Sequence, residues 1–302
     1  MRRCNFVTKN HLSWYKAWHA WVFLIPTLIG LFVFRLGPIF FSLIMSFTRW
    51  SILTSPKWIG LTNYRELFSD PVFGEILMNT IIFSTIYVAG VMVFGLLLAV
   101  LVNTKVKGIS FFRASYFVPV VTSAVAVGII WSWILSPKYG LVNNLLESYF
   151  GVTGPSWLGS KNLALIVVSF VQVWKMMGYY MILFLAGLQS IPRVYYEAAT
   201  IDGASRWNKF WKITLPLLSP TTFFVLIVSI IDSFRNFEII YTMTQGGPSN
   251  ATNTLVYSVY VNGFVFYRMG YASAIAYILL AFVGAITILN FMAKKYWVKY
   301  QY

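Results

Sequence analysis

The sequence predicts an all-α membrane protein with six transmembrane helices and both termini on the cytoplasmic side, and three observations carry that reading. The chain of 302 residues is 59% hydrophobic and only 10% charged, with a mean hydropathy of +0.71, which is more apolar surface than a soluble domain can bury. Six apolar segments reach the length of about 20 residues that a bilayer core requires of a helix. The basic residues are also distributed unevenly between them, as topology demands.

The elements follow in order. Residues 1–18 read as a cytoplasmic tail. The apolar run from Trp18 past Phe34 is too long for a signal-peptide core and lacks an A-x-A cleavage site, so it is expected to stay in place as span one, 19–47. The turn-rich "SPKWIGLTN" leads to span two, 76–102, and "NTKVKG" separates it from span three, 109–135. "SPKYG" and "TGPSWLGS" lie before span four, 163–188. Span five covers 214–243, and "TQGGPSN" precedes span six, 271–293, leaving 294–302 as a second tail. Residues 19–293 thus form one membrane domain.

Orientation comes from the loops. With the N-terminus inside, the cytoplasmic positions hold Arg2, Arg3, Lys9, Lys16, Lys105, Lys107, Arg113, Arg193, Arg206, Lys209, Lys212, Lys294, Lys295 and Lys299. The outer ones hold only Arg49, Lys57, Arg65, Lys138, Lys161 and Arg268. This asymmetry places both termini inside. It also accounts for the net charge of +15, since basic residues divided by long uncharged runs form no stripe that could follow a nucleic-acid backbone.

Several chemistries are excluded. Cys4 is the single cysteine and His11 and His19 are the two histidines, so disulfide frameworks and Cys/His metal sites are ruled out. No GxxxxGK[ST] loop, HExxH or GxSxG is present, so a membrane-embedded enzyme has no catalytic constellation to support it. Any energy source is expected on a partner.

One cytoplasmic segment, "EAATIDGASRWNKFWKITLP" at 197–216, is unusually polar for this chain. Ser190 is expected to cap a short helix with Pro192 in its first turn and Asp202-Gly203 at its end. Beyond Gly203, Trp207, Phe210 and Trp211 recur at i, i+3 and i+4, an amphipathic piece expected to lie on the membrane surface before Pro216 starts span five. An interfacial anchor would explain the tryptophans. It would not explain Glu197 beside Ala198 and Ala199, a carboxylate next to two small residues that suits close docking into another protein's groove.

This segment resembles the EAA loop of permease subunits of bacterial and archaeal ABC importers, with EAA, a glycine after three further residues, and I-x-L-P. "FLAGLQSIPRVYYEAA" and "TQGGPSNATNTLVY" are similar to the carbohydrate branch, which includes the maltose and glycerol-3-phosphate permeases. The resemblance covers residues 18–293. It implies the type I ABC importer (MetI-like) permease fold, with the loop at about 190–213 docking on one of the two copies of an ATPase subunit in the complex through Glu197, Ala198, Ala199 and Asp202, with Gly203 permitting the bend. It further implies a second homologous permease, an extracytoplasmic solute-binding protein, a carbohydrate substrate and residence in the inner or plasma membrane. No cofactor is expected in this chain; ATP and Mg would sit on the ATPase.

Five ionisable residues fall within the spans, Arg35, Lys175, Asp232, Arg235 and Glu238, and such residues are costly enough to be functional candidates. Asp232, Arg235 and Glu238, at i, i+3 and i+6 of one expected helix, can instead neutralise one another, and Lys175 can pair with Asp232 or Glu238. Gln172, Met176 and Tyr179 form a stripe of span four, and Ser229, Asp232, Ser233 and Asn236 a stripe of span five; facing polar stripes can line a water-filled path. The resemblance implies that Gln172, Met176, Tyr179, Ser229, Asp232 and Ser233 match sugar-site positions of the maltose-type permease, with Tyr116 and Val120 as span-three counterparts. Val120, Met176, Asp232 and the charges at Lys175 and Arg235 depart from that pattern, which leaves an anionic ligand such as a uronate or a glycerol phosphate open. The rival reading is an ion-coupled transporter or channel using Asp232 and Glu238, although the two halves show no convincing internal repeat.

Overall fold

The protein is described by a computed structural model covering residues 14–104 and 106–298. Arg2, Arg3, Cys4, Lys9, His11, Lys105 and Lys299, which entered the charge and cysteine readings, lie outside the described residues, as do parts of both expected tails.

Spans one, two, four and six run close to the expected bounds. Span one is assembled from α1 (Trp14–Leu31), a π-helical turn (Phe32–Leu36) and α2 (Gly37–Ser46). A two-residue hairpin, β1 (Thr48–Arg49) with β2 (Lys57–Trp58), and the short α3 (Thr62–Ser69) follow. Span two is α4 (Pro71–Val102), which starts earlier than expected because Asp70 accepts a hydrogen bond from Val72 N at 2.9 Å and Pro71 occupies the first turn, where a missing N–H costs nothing.

Span three is not one helix. It is α5 (Ile109–Val121) and α6 (Ala124–Ile134), bent by 96° across Thr122 and Ser123, both of which are extended. The apolar run continues through the bend, so hydropathy alone reads it as one segment. After α7 (Leu141–Phe150), span four is α8 (Ala164–Ser190). The coupling segment holds α9 (Arg193–Ile201) and α10 (Arg206–Lys209).

Span five also departs from expectation at both ends. A π-helical turn, Phe210–Thr214, joins α10 to α11 (Leu215–Ser233) as one run from Arg206 to Ser233, so the tryptophan-rich piece is the foot of the span rather than a separate surface helix. Leu215 N reaches back to the Phe210 carbonyl, and this widened turn makes room for the ring of Pro216. The same device recurs in span one, where Gly37 N bonds the Phe32 carbonyl just before Pro38. At Pro220, Ser219 Oγ donates to the Pro216 carbonyl that the proline leaves unbonded. The upper end stops at Ser233; a turn over 234–237 separates it from α12 (Glu238–Met243). Asp232, Arg235 and Glu238 therefore do not share a helix. Then come α13 (Leu255–Tyr260), a π-helical turn at Val261–Val265, and span six, α14 (Met269–Trp297).

The core is the α4–α8 pair. Phe83, Tyr87, Val91 and Ala99 of α4 meet Val168, Val171, Tyr180, Met181 and Phe184 of α8, all buried. Glycine allows the close approach: a Cβ on Gly90 would overlap Val173, and one on Gly95 would meet Tyr180. Around this pair the outward faces are apolar, with Phe94, Leu97, Phe170, Phe224, Leu280 and Leu289 exposed, as lipid contact requires. Only 6% of the apolar window of span one is buried, against 56% for α8.

Gly178 tests this packing. A Cβ there would strike the backbone carbonyl of Tyr116 in α5, whereas one on Gly74 would meet nothing within 4 Å. Gly178→Ala should therefore lower the thermal unfolding midpoint of the detergent-solubilised protein, by about 1–3 kcal/mol in stability. Gly74→Ala should be neutral or stabilise by up to about 1 kcal/mol.

Candidate functional site

Two breaks meet at one place. The start of α6, the 234–237 turn and the start of α12 all border a cleft of about 290 Å³ against α8, and the end of α5 is tied to it by the Lys175–Val120 hydrogen bond. Its lining includes Tyr87, Ala124, Gln172, Lys175, Met176, Asp232, Arg235, Asn236, Phe237, Glu238 and Ile239. Gln172 lies 8 residues along α8 from Ala164, so the cleft sits roughly 12 Å into the span at 1.5 Å per residue. Irregular backbone at such depth is tolerated where it lines a cavity.

Each polar group has a definite setting. Lys175, only 7% exposed, donates from Nζ to the Val120 carbonyl at 3.2 Å. That carbonyl lost its helical partner when α5 ended, and the negative end of the α5 dipole favours the ammonium there. Asp232 Oδ2 accepts from Tyr180 Oη at 2.9 Å, and Tyr87 Oη donates on to Tyr180 at 3.5 Å. Gln172 Nε2 donates to Asn236 Oδ1 at 2.6 Å. Gln172 Oε1 and Asn236 Nδ2 are buried with no partner among the described residues, so this amide pair holds one unspent acceptor and one unspent donor at the cleft wall. Arg235 and Glu238 are exposed. The ion pairs among the described residues are Lys161–Glu75 and Arg268–Glu66, so the mutual neutralisation that one helix would have allowed is not formed.

The structure thus brings together Gln172, Lys175, Met176, Asp232, Arg235 and Asn236, with Glu238. Val120 joins them through its carbonyl, not its side chain. Tyr116 and Tyr179 pack against the core, Tyr179 edge-on to Tyr180 at 5.2 Å. Ser229 and Ser233 are buried and donate to the Leu226 and Ile230 carbonyls of their own helix; Ser233 borders a separate apolar groove. Tyr180 and Tyr87 were missed from the sequence. Tyr180 lies eight residues after Gln172 and continues the Gln172–Met176 face, so that periodicity held the signal for it; nothing local marks Tyr87.

The second candidate region is the corner at Gly203. The N–H groups of Gly203 and Ala204 bond the carbonyls of Thr200 and Ala199 at 3.1 and 2.9 Å, a helix stop that requires the positive φ of 71° at Gly203. Ser190 is not the cap of α9: its hydroxyl donates to Gly187 at the end of α8, and Pro192 holds the cap position. Ser205 caps α10 instead, accepting from Asn208 N. Tyr196 with Thr214 at 3.0 Å and Lys209 with Thr200 at 2.8 Å tie the two pieces together. Glu197, Ala198 and Asp202 stand exposed, Ala199 less so, and Glu197 has no hydrogen bond or ion pair among the described residues.

Broken apolar spans around a polar mid-depth cleft, with an exposed bent corner at one end, define a membrane transport subunit. The chain belongs to the family of binding-protein-dependent transport system inner membrane components, which matches residues 91–295. It is 37% identical over 309 residues to the probable ABC transporter permease protein YesP of Bacillus subtilis, covering 100% of this chain and 96% of that protein. It is 38% identical over 281 residues to the multiple sugar-binding transport system permease protein MsmF of Streptococcus mutans, covering 93% and 96%. A bacterial ABC transporter involved in the import of the acidic polysaccharide alginate matches with a TM-score of 0.83 at 25% identity, over 93% of this chain and 97% of that one. The expected permease fold is therefore the fold found, and the family is one of transport components; the ion-coupled reading falls away.

Removing the Lys175 donor isolates its role. Lys175→Met keeps the stem but leaves the Val120 carbonyl unbonded, which should cost about 1–3 kcal/mol, seen as a lower thermal midpoint. Tyr179→Phe removes a hydroxyl that makes no hydrogen bond among the described residues, and should leave stability within about 0.5 kcal/mol of the wild type.

Proposed function

We propose that this chain is one membrane half of an ATP-driven, binding-protein-dependent carbohydrate importer, with both termini cytoplasmic in a bacterial or archaeal plasma membrane. The observation that carries the reading is the cleft, where an amide pair with free hydrogen-bonding atoms, a tyrosine-held carboxylate and an exposed guanidinium converge at mid-depth. Amides and carboxylates bond sugar hydroxyls, and the neighbouring aromatic rings suit the C–H faces of a pyranose. The relatives point the same way, one named for multiple sugar-binding transport and one for alginate import.

Arg235 adds a preference. It is exposed at the cleft and unpaired among the described residues, whereas Lys175 is buried and gives one of its three donors to Val120. A guanidinium grips a carboxylate or phosphate through two parallel hydrogen bonds, so the cargo class is an oligosaccharide carrying acidic groups. Gln172, Asp232 and Asn236 contact its hydroxyls and Met176 packs beside it.

On this reading the 193–209 corner docks on an ATPase subunit that binds ATP and Mg, with Glu197, Ala198, Ala199 and Asp202 on the docking face and Gly203 at the bend. Nucleotide-driven closure of two ATPase subunits moves the corner, and the broken spans three and five rearrange around the cleft. A second permease supplies the other wall, and span one, nearly bare within its own chain, is suited to contact another membrane subunit.

Two substitutions separate the sites. Glu197→Lys should abolish substrate-stimulated ATP hydrolysis in the reconstituted complex, with docking weakened on the order of 10- to 100-fold for one lost charge-assisted hydrogen bond. Arg235→Gln should leave docking intact and raise the Kd for an acidic oligosaccharide on the order of 10-fold, read by binding to the purified complex. Unchanged affinity in Arg235→Gln would remove the acidic-cargo reading; transport at the normal rate by Glu197→Lys would remove the coupling role.

A further inference from the structure

A second cavity, of about 470 Å³, opens at the other end of the bundle, between the end of α4, α5, the end of α8 and the start of α9. Leu188 and Ile191 form an apolar floor, and Arg113, Gln189, Arg193 and Tyr196 bring polar groups to its walls. No carboxylate lines it among the described residues. Two guanidinium groups therefore share one cavity without a counter-charge, and like charges so placed repel unless an anion joins them.

The arginines are prepared unequally. Arg113 Nη2 donates to the Val102 carbonyl at 2.8 Å, which fixes the guanidinium at the end of α4, while its Nε is buried with no acceptor among the described residues. Arg193, the first residue of α9, has no hydrogen bond or ion pair among the described residues and is exposed. A held guanidinium and a free one match the several oxygens of a phosphate. Basic pockets between spans on the cytoplasmic side are suited to lipid headgroups.

We propose that Arg113 and Arg193 form a phosphate-group site at this cavity, occupied by the headgroup of an anionic phospholipid or by a soluble phosphate ester. The occupant bridges α5 to α9, so it holds the exposed Gly203 corner against the membrane bundle. The proposal stands on cavity and charge, and does not depend on what the mid-depth cleft carries.

Native mass spectrometry of the purified full chain tests it, using phosphatidylglycerol and phosphatidylcholine as lipid probes and inorganic phosphate as the soluble probe. The expected result is a retained phosphate-bearing anion, with its Kd raised at least 10-fold in Arg193→Gln and unchanged in Lys138→Gln, a remote basic residue that controls for general attraction. Arg193→Gln disturbs no internal hydrogen bond, so its folding is not at issue, unlike that of an Arg113 variant. Preferential retention of phosphatidylglycerol that inorganic phosphate does not displace assigns the lipid headgroup; binding of inorganic phosphate without lipid assigns the soluble ester. Equal retention of both lipids with no phosphate binding overturns the site, as does wild-type affinity in Arg193→Gln.

Discussion

The hydrogen bond from Lys175 to the carbonyl of Val120 is the contact on which the rest of the site depends. A membrane span that breaks at mid-depth leaves carbonyls with no helical partner and no water to replace it, a cost of several kcal/mol for each such group in hydrocarbon. Lys175 answers one of them with a full positive charge at the negative end of α5. The break in turn lets α6 leave at 96° and opens the space that becomes the cleft. A lysine in a span would ordinarily be read as a ligand group; in this protein its ammonium gives one donor to the backbone, and Arg235 is the more exposed cation at the cleft.

The two broken spans support each other. Gly128 of α6 packs so closely under Thr242 of α12 that a Cβ there would overlap the threonine, so the second halves of spans three and five are locked side by side. The first half of span five continues without a stop into the Gly203 corner through the π-helical turn at Phe210–Thr214. That run ends at the turn that carries Arg235 and Asn236. On the proposed reading this continuity is the physical route from ATPase to cargo, and the α4–α8 core, with its buried tyrosines and glycine contacts, is the body against which the movement occurs.

The six apolar segments, their order and the corner at Gly203 were legible in the sequence, because hydropathy and a glycine stop are local signals. The breaks at 122–123 and 234–237 were not. The first lies at two small hydroxyl residues in an otherwise apolar run. At the second, Asp232, Arg235, Asn236 and Glu238 do lower the hydropathy but can equally be read as one polar face of an unbroken helix. In both, only the tertiary arrangement rewards the irregular backbone. The same cause explains the site residues. Gln172, Met176, Asp232 and Asn236 were found from stripes that assume unbroken helices, and they do meet; Ser229 and Ser233, on the same stripe, turn their hydroxyls to their own backbone. Tyr87 escaped because it reaches the cleft from another span, which only the tertiary packing of α4 on α8 establishes.

The central claim is that one face of span four and the broken end of span five enclose a hydrated cleft, while the serines of the same stripe do not. With the single native cysteine removed as Cys4→Ser, Met176→Cys, Asn236→Cys, Ser229→Cys and Ser233→Cys can each be exposed to a charged, water-soluble methanethiosulfonate in the reconstituted protein. The account predicts rapid modification at 176 and 236 and none at 229 and 233. Modification at the two serine positions with the other two protected would contradict it.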